Sequence, residues 1–252
     1  MEDILQHTLS FLPIKDIISC SPINKLFHKI CQQEIIWKCL LTYDYKNVTN
    51  FKETPKKIYK FYYGLSKIIK HVNYKGNVDD LYSLGVLNLS YKCLEVIPSE
   101  IGQLQKLKKL YLYNNKLITV PREIGQLQNL QALHLDDNKL TTISSEIGQL
   151  KKLQQLHLNN NKLTSIPTEI GQLHDLQEFY LQNNQLLTIP FEIGQLQNLQ
   201  KLFLSNNQLT IIPPDLGQLR NLKILTLYNV YRITIPPEIL QLQNLQNLDI
   251  YE

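Results

Sequence analysis

No apolar run in the 252 residues approaches the roughly 18 that a membrane-spanning helix needs, so no membrane partner is expected. The N-terminus, MEDILQHTLS, is acidic and lacks a basic segment ahead of a long apolar core, so a signal peptide is not expected either. Cysteine is scarce. Cys20, Cys31, Cys39 and Cys93 are the full set, and no two stand at C-x-x-C spacing. Free, buried thiols in a reducing compartment, cytosol or nucleus, are the expected state. Charge of one sign is missing from most of the chain. The net charge of +4 lies entirely before Leu84, where 12 Lys face 8 acidic residues; from Leu84 onward 14 basic residues balance 14 acidic ones. A neutral surface is poorly suited to phosphate, so nucleic acid is not an expected partner there.

What the sequence does have is a repeat. The segment LQQLHLNNNKLTSIPTEIGQLHD, Leu153 to Asp175, is one 23-residue unit. Its leading leucine recurs at Leu84, Leu107, Leu130, Leu153, Leu176, Leu199, Leu222 and Leu245. A fixed period in this range signals a stacked solenoid. Within the unit, Leu156-His157-Leu158 alternates, so both leucines face one side and His157 the other. One such strand cannot bury its apolar face alone, so neighbours must stack into a parallel sheet. Ile170 and Leu173, three apart, predict a short helical turn with one apolar side. Pro recurs before that turn at 98, 121, 167, 190, 213 and 236, with Ser144 the exception. Gly recurs at 102, 125, 148, 171, 194 and 217, and Leu240 takes its place in the last full unit. Because Leu resists positive φ, close packing of coils explains this glycine better than a left-handed turn.

The pattern L-x-x-L-x-L-x-x-N-x-L followed by I-P-x-E-I-G-Q-L resembles a typical leucine-rich repeat, from Leu84 to the C-terminus, in seven full copies plus a partial eighth. The resemblance implies an α/β fold: a leucine-rich repeat solenoid with a curved parallel sheet on its concave side. It also implies a structural ladder of inward amides at Asn115, Asn138, Asn161, Asn184 and Asn207, interrupted at the ends by Lys92 and Val230. Secreted members of this family usually carry paired cysteines in their end caps, and none are evident here.

The residue between the paired leucines faces outward, giving Asn88, Tyr111, His134, His157, Tyr180, Phe203, Thr226 and Asp249. Two residues earlier come positions such as Ala132; two later come Ser90, Tyr113, Asp136, Asn159, Gln182, Ser205 and Tyr228. With strands about 4.8 Å apart, Tyr111 to Phe203 form an aromatic track roughly 19 Å long. Amphipathic rings are favoured at protein interfaces, although strand propensity also favours Tyr and Phe. The expected target-binding face is therefore Tyr111, Tyr113, His134, Asp136, His157, Tyr180, Phe203 and Tyr228. Two exposed imidazoles and one carboxylate are too little, in sequence, to assign a metal, so neither metal nor cofactor is expected. The last copy stops at Glu252 without a return segment, which leaves Ile250 at the sheet edge.

The first third reads differently. Ile4, Leu5, Leu9 and Leu12 have helical spacing until Pro13, and further apolar stripes follow through Trp37 and Leu40. The run from Ile4 to Ile18, the segment Ser21 to Phe27 and Ile36 to Leu40 together resemble an F-box. Where that family usually opens with a Leu-Pro pair, this sequence has Met1-Glu2-Asp3. The implied partner is the Skp-type adaptor of a cullin–RING ubiquitin ligase, docked on Ile4, Leu5, Leu9, Leu12 and Pro13 with Trp37 in support. Between Lys46 and Lys75 stand eight Lys and one acid. A solvated helix that covers the first coil explains them better than an anion-binding surface. Residues 73–80 read as a short linker or turn. The expected domains are residues 1–45, an F-box-like bundle; residues 46–83, a basic helical linker and cap; and residues 84–252, the repeats.

Function follows from this layout. The expected role is a protein-binding adaptor, a substrate receptor of a Skp–cullin–F-box ligase with its unknown target on the concave face. The alternative is a stand-alone interaction scaffold with a helical cap. No catalytic residue is expected, since Cys20, Cys31 and Cys39 sit among apolar stripes that disfavour a thiolate. The expected location is intracellular, in cytoplasm or nucleus, or in the host cytosol if the source is a virus or bacterium.

Overall fold

The computed structural model describes residue 81, residues 83–228, residue 230 and residues 234–250. The chain divides into two compact units, residues 1–66 and residues 67–252, and every described residue lies in the second. The F-box-like stripes, the basic segment and the linker at residues 73–80 lie outside the described residues.

Each repeat contributes one three-residue strand: β1 (Val86–Asn88), β2 (Lys109–Tyr111), β3 (Ala132–His134), β4 (Gln155–His157), β5 (Glu178–Tyr180), β6 (Lys201–Phe203), β7 (Ile224–Thr226) and β8 (Asn247–Asp249). They form one parallel sheet in sequence order. The register is the repeat itself, with Leu110 opposite Leu133 and Leu156 opposite Phe179. The apolar column is fully buried from Leu110 to Leu225, and Phe179 fits where its neighbours have Leu. Burial of each such side chain contributes about 1.5–3 kcal/mol, which drives stacking of units that cannot fold singly.

The return segment is a five-residue 3₁₀ turn in six repeats, as in Thr168–Gln172, and one turn of α-helix, Pro237–Leu240, in the last. Proline sits just ahead of the turn. Pro167 has φ −66° and ψ 147°, an extended residue whose fixed φ aims the chain into the turn. Ser144 adopts the same angles, φ −65° and ψ 144°, and its hydroxyl accepts the Glu146 N–H. A capping hydrogen bond thus replaces the ring's rigidity at this one repeat. Ser144→Ala should cost about 1 kcal/mol. Ser144→Pro should be neutral or stabilising by up to about 1 kcal/mol, because the backbone already has proline's angles. Urea midpoints of the two variants test this pair; a Pro variant weaker than the Ala variant contradicts it.

Glycine has a packing role. Among the described residues no glycine has positive φ. A Cβ added at Gly148 would lie 2.5 Å from the Glu169 carbonyl oxygen of the next coil, and at Gly171 2.7 Å from that of Glu192. Leu240, at the equivalent site, is 67% exposed.

The amides of Asn115, Asn138, Asn161, Asn184 and Asn207 are buried. Asn161 is typical. Its Nδ2 donates to Leu135 O and Leu158 O, both at 3.0 Å, and its Oδ1 accepts the Leu140 N–H at 2.9 Å. Each amide therefore ties its own coil to the one before. A second row stands outside the first. Asn114, Asp137, Asn160, Asn183 and Asn206 have φ of 53–58°, and Asn183 Nδ2 donates to Asn160 Oδ1 while Asn206 Nδ2 donates to Asn183 Oδ1. Sequence reading missed this row. Its signal was the Asn or Asp just before each ladder Asn, a residue type that tolerates the left-handed region. In the first coil Tyr91 and Cys93 take positive φ instead, a less comfortable choice for a bulky side chain.

Candidate functional site

The outward sheet face is built by alternation. The apolar residue at the centre of each strand, Leu or in β5 Phe179, points inward, so the third residue of β2 to β6 points out, one ring above the next in register. Tyr111 meets His134 edge-on at 4.9 Å between ring centres. His134 stacks on His157 at 3.8 Å, His157 lies tilted against Tyr180 at 4.2 Å, and Tyr180 stacks on Phe203 at 4.5 Å. These five rings form one continuous row and are half-buried, because each shields its neighbour.

The remaining outward residues do not all join. Tyr113 packs edge-on against Tyr91 at 5.3 Å, to one side of the row. Tyr228 stands apart and is 42% exposed. Four positions read as outward are buried: Ser90, Ala132, Ser205 and Thr226. Short side chains cannot reach past their neighbours. Ser205 Oγ donates to Thr226 Oγ1 at 2.9 Å, which lets the two hydroxyls satisfy each other below the level of Phe203. Beside the row, Lys201 Nζ and Glu178 Oε1 pair at 3.0 Å. At the far end Ile250 is 42% exposed. The residues expected to meet an adaptor, Ile4, Leu5, Leu9, Leu12, Pro13 and Trp37, lie outside the described residues.

The centre of the row is electrostatically unusual. Asp136, two residues after His134 in the same strand direction, belongs to the His134–His157 pair; one ligand-type atom from each lies within 4.8 Å of the others. His134 Nε2, His157 Nε2 and Asp136 Oδ1 are shielded from solvent and make no hydrogen bond. Burial holds the His134 imidazole below its ordinary pKa, helped by Lys109 and partly offset by Gln155 and Glu178. Burial, with the His134 charge beside it, pushes His157 down to about 4. Burial raises Asp136 to about 6, Asp137 adding to the rise and a backbone hydrogen bond opposing it.

These shifts oppose one another in sign. His157 binds fewer protons folded than unfolded between 4 and 6.5, so it stabilises the fold above 6.5 and that stability is lost as pH falls toward 4. Asp136 binds more protons folded than unfolded, so its contribution is full below 3.8 and lost as pH rises through 6. Removing one partner uncovers the other. Relative to the unaltered protein, Asp136→Asn should lose stability on acidification from pH 7 to 4.5, and His157→Gln should gain it. Urea midpoints at the two pH values in metal-free buffer check this; shifts of one sign in both variants contradict it.

With the geometry in hand, comparison with known proteins decides the family. A leucine-rich repeat region model matches residues 65–181, further leucine-rich repeat models match residues 175–196 and 197–235, and an F-box domain model matches residues 2–39. The chain is an F-box and leucine-rich repeat protein. Among solved structures, this F-box/leucine-rich repeat chain is similar to a leucine-rich repeat protein of Leptospira interrogans, 44% identical with a TM-score of 0.60, over 66% of this chain and 48% of that one. It is also similar to an internalin of Listeria monocytogenes, 27% identical with a TM-score of 0.60, over 68% of this chain and 49% of that one. The chain thus spans about half the length of each. No curated protein matches it. Both module types are protein-binding modules, and in neither family is chemistry the usual task. Among the described residues no helix is long and apolar enough to cross a membrane.

Proposed function

We propose that the chain is the substrate receptor of a Skp–cullin–F-box ubiquitin ligase. The observation that carries the reading is the union, in one chain, of an F-box segment at residues 2–39 with an uninterrupted ring row on a rigid sheet. The first would bind the Skp-type adaptor through Leu5, Leu9 and their neighbours. The second would hold a target protein with Tyr111, His134, His157, Tyr180 and Phe203 as its centre. Aromatic anchors in a partly desolvated row are the residues that dominate binding energy at protein interfaces. The mechanism is proximity. A bound target's lysines are kept near the ubiquitin-loaded enzyme, which raises their effective concentration, and this chain performs no chemistry. Such a receptor works in cytosol or nucleus, the host's where the source is an invading virus or bacterium.

Co-elution with a purified Skp-type adaptor tests the reading. Leu5→Asp combined with Leu9→Asp should weaken the complex at least about 100-fold, as expected for loss of central apolar anchors. Tyr180→Ala with Phe203→Ala should leave the adaptor complex intact. Absence of a complex, or one indifferent to the Leu5 and Leu9 changes, supports the other reading, a stand-alone scaffold that needs only the ring row.

A further inference from the structure

The middle of the ring row contains three polar atoms with nothing to bond. His134 Nε2, His157 Nε2 and Asp136 Oδ1 are each shielded from solvent and unpartnered. They come from two adjacent strands in direct register, His134 opposite His157. The ligand-type atoms of the three residues lie within 4.8 Å of one another. Leaving three buried polar atoms unsatisfied disfavours the fold unless something pairs with them. No neighbouring side chain does so, and the flanking Tyr111 and Tyr180 rings pack against the imidazoles.

We propose that His134, Asp136 and His157 form a binding site for one divalent transition-metal ion of the zinc class, centred on the outward sheet face. One ion satisfies all three atoms at once. Two imidazoles with one carboxylate are a donor set for zinc and its neighbours; magnesium and calcium prefer oxygen alone. Three protein ligands leave a fourth position open, as in zinc sites that bind a further group. Ligand atoms around one tetrahedral zinc stand about 3.4 Å apart, given bonds of about 2.0–2.1 Å. The present separations, within 4.8 Å, lie close to that spacing, and side-chain rotation that opens the His134–His157 stack completes the site. The sequence expression of the site is H-x-D in one strand and a single His one repeat later, too sparse to read without the register. The proposal stands on these three atoms and not on the ligase reading, so the adaptor experiment and the metal experiment can fail independently.

The test uses the full chain, stripped with a chelator and alkylated at its cysteines, titrated with Zn²⁺ against a chromophoric chelator. The expected result is one Zn²⁺ per chain. His157→Gln and Asp136→Asn should each weaken it at least about tenfold, with unchanged circular dichroism. In proton NMR, Zn²⁺ should shift the ring signals of His134 and His157 and leave those of His174 in place. Alkylated protein that binds no Zn²⁺, binding indifferent to both substitutions, or shifts at other histidines instead would overturn the proposal.

Discussion

Gly148→Val should destabilise the repeat array by about 3 kcal/mol or more, an overpacking change at the upper end of what buried sites show. The added Cβ would meet the Glu169 carbonyl oxygen at 2.5 Å, the Glu169 Cβ at 2.8 Å and its carbonyl carbon at 3.1 Å. Two of those three atoms are backbone, so no rotamer change relieves the contact. The coils would have to separate, and separation exposes the leucines between them. Gly85 is the internal control, because a Cβ there meets nothing within 4 Å. Gly85→Ala should be neutral or gain up to about 1 kcal/mol through a less free unfolded chain. Urea unfolding followed by circular dichroism measures both. Equal midpoints for the two variants would show that these glycines do not set the spacing of the coils.

The second large effect is expected at Asn161. Truncation to Ala leaves Leu140 N–H unpaired in a dry environment, while Leu135 O and Leu158 O each lose one amide donor and keep another, from Asn138 and Asn184. The unsatisfied N–H costs about 1–3 kcal/mol and each further lost hydrogen bond about 1 kcal/mol, so a total of about 2–4 kcal/mol is expected after partial relaxation. Asn160, its neighbour in sequence, belongs to the outer row. Asn160→Gly should cost little, since Gly accepts the φ of 56° and the lost partners are solvent-facing. The contrast between adjacent asparagines separates a buried amide bridge from a conformational preference. Similar losses at both positions would contradict the assignment.

These contrasts also show what a sequence can carry. Leucines, inner asparagines and stacking glycines recur on a fixed period, and the fold needs nearly the same environment in every coil. Periodicity therefore locates them without coordinates. Proline marks where the chain leaves the strand side, and the structure puts it just ahead of the turn, where its fixed φ suits extended backbone. Failures came where side-chain size decides. Ala132, Ser205 and Thr226 occupy outward positions in register but are too short to reach solvent past larger neighbours. The outer Asn row was visible as composition yet carried no apolar signal. The ring row was legible because alternation and register are both periodic. The unpartnered nitrogens of His134 and His157 were not, since hydrogen-bond satisfaction depends on rotamers.

The constant register has an evolutionary corollary. Because each coil meets its neighbours through the same leucines, amide and carbonyl, excision or duplication of any 23-residue window rejoins matched surfaces. Unequal recombination between copies can thus lengthen or shorten this chain without designing a new junction. What it alters is which outward side chains become adjacent. A cut that removed the window from Asn138 to Asn160 would erase His157 and set Tyr180 directly beside His134, so one crossover would rewrite the recognition surface while leaving the scaffold's interior intact.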